Sequence, residues 1–213
     1  MAHEQTSEEV AEEFRKTYPE SVAELAHHLW NAICHLNLSM SAYSQLYSSK
    51  EVIEILNGSA PRFFSLLQSW LPWTIYLQIG HLIIDPAQIG PRSNASFAGF
   101  VKVLRNAGKT AEADALDKDL KALEPAVQKI RTIRNRMLAH ADLQIVLRKD
   151  PPIPDVPHEE LEALVDEIGK TYIRTDARFR KKETYFKGIG TFTGVDALTV
   201  FLERGIQSFK KRL

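Results

Sequence analysis

One run of apolar residues constrains this chain more than any other feature. Leu116, Leu120, Leu123, Val127, Ile130, position 134, Met137 and Ala141 alternate steps of four and three. Residues so spaced share one face of an α-helix, at about 100° per residue, and do not share a face of a strand. The spacing predicts one continuous helix from about Thr110 to beyond Ala141. A second run, Val22, Leu25, Leu29, Ile33, Leu36, Met40, Tyr43 and Tyr47, predicts another from about Glu20 to Ser48. Long helices with one apolar stripe must bury it against other helices, so an all-α bundle is expected.

Punctuation fills in the rest. Ser7 starts a short acidic helix that Pro19 separates from the first long one. Glu51 to Leu56 reads as a short helix closed by Asn57-Gly58. Pro61 suits the first turn of a long helix running from Phe63 to Ile84, with a kink at Pro72. Trp70, Trp73 and Tyr76 on that helix read as core packing. Pro86, Gly90 and Pro91 then break the chain, Ser96 caps a helix from Phe97 to Asn106, and Gly108 ends it. After Asp150-Pro151-Pro152 come a short helix from His158 to about Gly169 and a last one from Val195 to Phe209. Between them, residues 174–195 suit either a loop or a short β-hairpin. Three parts result: an acidic segment 1–19, a helical bundle 20–150, and an extension 151–213 of Pro-rich linker, basic loop and helix.

Charge narrows the function classes. The chain has 27 Lys and Arg against 27 Asp and Glu, for a net charge of zero. A protein that coats nucleic acid regardless of sequence needs a basic excess. That class is disfavoured, but a local site is not, because Arg174 to Lys187 is basic with interleaved aromatics. A single cysteine, Cys34, rules out an intramolecular disulfide framework and fits a reducing, cytoplasmic setting. The polar amino terminus has no signal-peptide pattern. Phe63 to Ile84 is uncharged for 22 residues, enough to cross a bilayer. Yet Ser65, Gln68, Ser69 and Pro72 draw a polar stripe along it, so a buried amphipathic helix is expected and no membrane partner.

The chemistry centres on position 134, where the apolar stripe carries an arginine. Stripping water from a guanidinium costs several kcal/mol unless it is paired. Arg134 therefore snorkels, meets a carboxylate, or lines a cleft where an anion sits. His140 lies about 120° further round the helix, close enough in reach to face the same cleft.

Arg134-Asn135, four further residues and His140 match the R-x4-6-H signature of HEPN domains. Leu46-Tyr47-Ser48-Ser49, Ile55-Leu56-Asn57, Phe63-Phe64, Leu82 to Pro86 (LIIDP), Asn94-Ala95-Ser96-Phe97 and Ala139-His140-Ala141-Asp142 resemble the AbiU2 branch of that superfamily. The likeness covers roughly residues 20 to 150. It implies a bundle of four or five core helices with a C-terminal extension, and a homodimer whose two R-x5-H motifs meet in one cleft. It also implies metal-independent, cofactor-free cleavage of RNA, often in toxin–antitoxin or phage-defence systems, where an antitoxin protein is a further partner. Under that resemblance Arg134 clamps phosphate, His140 moves the proton and Asn135 orients one of them. Arg131 and Arg136 beside the motif, and Arg178, Arg180, Lys181 and Lys182 in the basic stretch, are the expected RNA contacts. The plainer alternative makes Arg134 half of a structural ion pair and His140 a helix-end residue.

Other signals are weaker. His27, His28 and His35 lack the carboxylate–histidine pattern of a metal site, so no metal is expected. Cys34 reads as a small buried apolar residue. Gly108-Lys109-Thr110 and Gly188-x-Gly190 are fragments of phosphate and dinucleotide loops without their contexts.

Overall fold

The computed structural model describes residues 6–138, 154–181, 185–186 and 194–210. Among these, eight α-helices account for nearly all of the structure: α1 (Ser7–Thr17), α2 (Glu20–Tyr47), α3 (Lys50–Ser59), α4 (Pro61–Ile79), α5 (Phe97–Asn106), α6 (Thr110–Ile133), α7 (His158–Asp176) and α8 (Val195–Lys210). Two single turns of π-helix interrupt the pattern, Gly80–Ile84 after α4 and Arg134–Leu138 after α6. Gln88–Ile89 and Arg92–Ser93 pair antiparallel around Gly90, whose φ of 57° a side chain would resist.

The starts follow their side chains. Thr6 and Glu9 form a capping box at α1, with Thr6 Oγ1 accepting from the Glu9 amide at 3.3 Å. Pro61 takes the first turn of α4, and Ser96 Oγ accepts from the Gly99 amide at 3.2 Å to cap α5. Gly108, at φ 73°, stops the chain after α5.

Helix α2 is the axis of the bundle. Its stripe of Val22, Ala26, Leu29, Ile33, Leu36 and Met40 is buried against α1, α4, α5 and α7. The α6 stripe meets the same core through Leu116, Leu123, Val127 and Ile130. Helix α7 belongs to it as well: Leu161, Leu164, Val165, Ile168 and Tyr172 are buried there, and the Tyr172 hydroxyl donates to the Ala26 carbonyl at 2.9 Å. A smaller cluster of Leu46, Leu56, Phe64 and Val195 ties α8 to α3 and the end of α2. The core therefore runs across both positions, 19 and 150, where composition suggested boundaries.

Several expectations need correcting. Asn57-Gly58 does not close α3; the helix runs through it to Ser59, and a Cβ at Gly58 would lie 3.4 Å from Ile206 Cδ1 of α8. Helix α7 continues seven residues past Gly169 to Asp176, because that glycine faces the Phe186 ring inside the core. Trp70 and Trp73 are not core residues: they are 59% and 39% exposed, and only Tyr76 is buried. No helix of the described residues is long and apolar enough to cross a membrane.

Candidate functional site

The two π turns meet, and the site is built where they do. In a π turn the amide bonds five residues back instead of four, adding a residue to the turn. The Asp85 amide closes the first turn onto the Gly80 carbonyl at 2.9 Å. The second begins at Arg134, at the carboxyl end of α6. Angles reckoned at 100° per residue therefore do not hold within Arg134–Leu138. His140 itself, and Lys182, lie outside the described residues.

Arg134 reaches across to the first turn, where its Nη2 donates to Asp85 Oδ1 in a short charge-assisted bond. The passage depends on Gly80. A Cβ at that position would come within 3.0 Å of Arg134 Cδ and 3.3 Å of its Nε. The other carboxylate oxygen, Asp85 Oδ2, accepts from His81 Nδ1 at 3.0 Å. Asp85 is thus shared by an arginine and a histidine, one on each oxygen. Burial is graded along this relay: the Asp85 side chain is 13% exposed, Arg134 23% and His81 68%. Asp85 is the aspartate of the LIIDP segment, and His81 stands one helical turn before it. Neither was singled out from the sequence as a site residue, although that segment was part of the resemblance.

His81 and Asp85 also line a cleft of about 760 Å³, whose other wall includes His28, Asn31 and His35 of α2. Gln78 lines it too. Its Nε2 donates to Ser39 Oγ at 3.0 Å, while its buried Oε1 meets no partner among the described residues. Among the described residues no group of three or more His, Cys, Asp or Glu could hold a metal.

The remaining sequence candidates scatter. Asn135 is exposed and Arg136 half-buried beside Arg134. Arg131 is held by its own helix, with Nη2 on both carboxylate oxygens of Glu124 at 3.0 and 2.8 Å. Arg178 and Lys181 are exposed in the turn after α7. Arg180 is not offered to RNA: it is 5% exposed, its Nε and Nη2 grip Asp176, and its Nη1 meets Glu13 of α1 at 3.3 Å. Its guanidinium carbon lies 4.1 Å from the centroid of the Phe14 ring, and the Tyr18 hydroxyl donates to Asp176 at 2.6 Å. The spacing of four from Asp176 to Arg180 was a sequence signal for this pair. Nearby, burial first and then Arg15 and Arg180 push the His27 imidazole below its ordinary range. Cys34 is partly buried, and burial raises its thiol to about 11, so it is not a nucleophile near neutrality.

An all-α bundle with an arginine at the end of its long sixth helix, followed by the R-x5-H spacing, is the arrangement of a HEPN-type protein. The family model described as AbiU2 matches residues 19–172, and the chain belongs to that HEPN family. The match extends past residue 150 into α7, as the shared core requires. No curated protein and no solved structure matches the chain.

Proposed function

We propose that this HEPN protein is a metal-independent endoribonuclease acting in a toxin–antitoxin or phage-defence setting. The observation that carries this reading is the state of Arg134. It is a permanently charged fork on an otherwise apolar helix face, anchored by one carboxylate and still 23% exposed. An arginine has five N–H donors, and Asp85 takes only part of them. The rest suit the non-bridging oxygens of a phosphodiester, where negative charge grows during cleavage.

In the proposed reaction the 2′-hydroxyl oxygen bonds to the adjacent phosphorus and the bond to the 5′-oxygen breaks. His140 takes the 2′-proton, an acid returns one to the 5′-oxygen, and the products carry a 2′,3′-cyclic phosphate and a 5′-hydroxyl. Asn135 assists at the motif, with Arg136, Arg178 and Lys181 as outer RNA contacts. The homodimer that the family resemblance implies has a surface to use. Phe63, Leu66, Trp70, Trp73 and Leu77, each between 39% and 59% exposed, form a three–four spaced seam along α4. That seam has no charge to select a different partner, which favours a second copy of the chain.

One observation supports a second reading. Asp85 already neutralises Arg134, so the protein would then bind RNA, nucleotide or a partner protein without turnover. Incubation with a mixed RNA pool in EDTA separates the two. Cleavage lost in both Arg134→Ala and His140→Ala supports the enzyme; binding without cleavage by folded wild-type protein supports the module.

A further inference from the structure

We propose that His81 is a proton-transfer group of the Arg134 site, held in place by Asp85. The inference rests on the ribonuclease reading above and adds a residue to it. A carboxylate only accepts hydrogen bonds, so the 3.0 Å contact with Asp85 Oδ2 requires the proton on His81 Nδ1. Nε2 is then the nitrogen free to exchange a proton, in an orientation that the carboxylate sets. The ring is 68% exposed, so a substrate hydroxyl can approach it. The opposite oxygen of the same carboxylate binds Arg134, so a phosphate captured by that arginine would lie within the neighbourhood of the imidazole. Asp85 is itself 13% exposed, and one carboxylate orienting two functional side chains is more than the i, i+4 spacing alone would supply. The adjoining cleft of about 760 Å³ has room for a nucleotide.

The step balances with the groups named. His140 takes the 2′-hydroxyl proton as that oxygen bonds to phosphorus, and His81, protonated at the start of the step, gives its Nε2 proton to the departing 5′-oxygen as the bond from phosphorus to it breaks. Asp85 acts only by position, accepting from Nδ1 throughout. The family's expected pattern draws the second proton-transfer group from a symmetry mate; here it would come from the chain that supplies Arg134.

The test is chemical rescue. His81→Ala removes a largely exposed ring, so the variant keeps its fold and melting temperature. Its turnover number on saturating RNA should fall by about 100-fold or more, the usual contribution of a positioned acid or base. Imidazole added to the buffer should restore part of the lost rate, because the exposed site admits it; a merely structural role would not respond. Wild-type turnover in His81→Ala, or a loss that imidazole leaves untouched, overturns the proposal while the ribonuclease reading stands. A wild-type protein that cleaves no RNA removes that reading and this one together.

Discussion

The molecule holds two arginine–aspartate pairs that are chemically alike and situated differently. Arg180 and Asp176 lie in the α1–α7 corner with side-chain exposures of 4% and 2%, roofed by Phe14 and joined by Glu13 and Tyr18. Arg134 and Asp85 join two π turns, with exposures of 23% and 13% and a histidine on the outer oxygen. A sealed pair does structural work: it can be broken only by stranding a buried charge. A pair left partly open, beside a cleft, has donors to spare for a ligand. Basic character alone does not separate the two, and it misplaced Arg180 among the RNA contacts.

The contrast can be broken most forcefully through stability. Arg180→Ala strands the buried Asp176 carboxylate and should cost about 3–5 kcal/mol in urea unfolding, whereas Arg134→Ala leaves Asp85 with His81 and some solvent and should cost less, about 1–2 kcal/mol. Equal losses would mean that the Arg134 pair is as structural as the other. A smaller effect comes from Gly80→Ala. Alanine favours the helix by up to about 1 kcal/mol, but its methyl group presses on Arg134 Cδ, so stability should change by less than that while RNA cleavage falls. Unchanged cleavage would show that the crossing of Arg134 over Gly80 has no functional weight. The smallest effect concerns His27, on the sealed side. Its folded pKa lies below the ordinary 6.5, so the unfolded chain binds more protons between those two values. Its contribution is therefore intact above pH 6.5 and is lost as pH falls through the lowered value. His27→Gln should flatten that part of the pH–stability curve; an identical curve would contradict the placement.

Much of the bundle was legible because the signals were local or periodic. The α2 and α6 stripes, the Ser96 cap and the Pro61 start each have a mechanism that acts within a few residues. The errors have a common physical source in tertiary packing. Helix α4 is apolar on more than one face, and its sequence does not reveal which face the other helices cover; Phe64, Ile75 and Ile79 are buried while Trp70 and Trp73 are not. A π turn adds one residue that a 3.6-residue period does not register, so the meeting of Gly80–Ile84 with Arg134–Leu138 was invisible. Of the site, Arg134 was conspicuous as a lone cation in an apolar stripe, and the alternatives left open for it included a carboxylate partner. Asp85 as that partner, 49 residues away in sequence, required the fold.

The most direct test of the ribonuclease reading is cleavage of RNA by purified protein in EDTA, alongside Arg134→Ala shown to be folded at the assay temperature. The wild type should give products with 2′,3′-cyclic phosphate ends, and the variant a rate at least about 100-fold lower, as expected when a donor to the developing oxyanion is lost. Equal rates from the two proteins, or no cleavage by either, would contradict that reading.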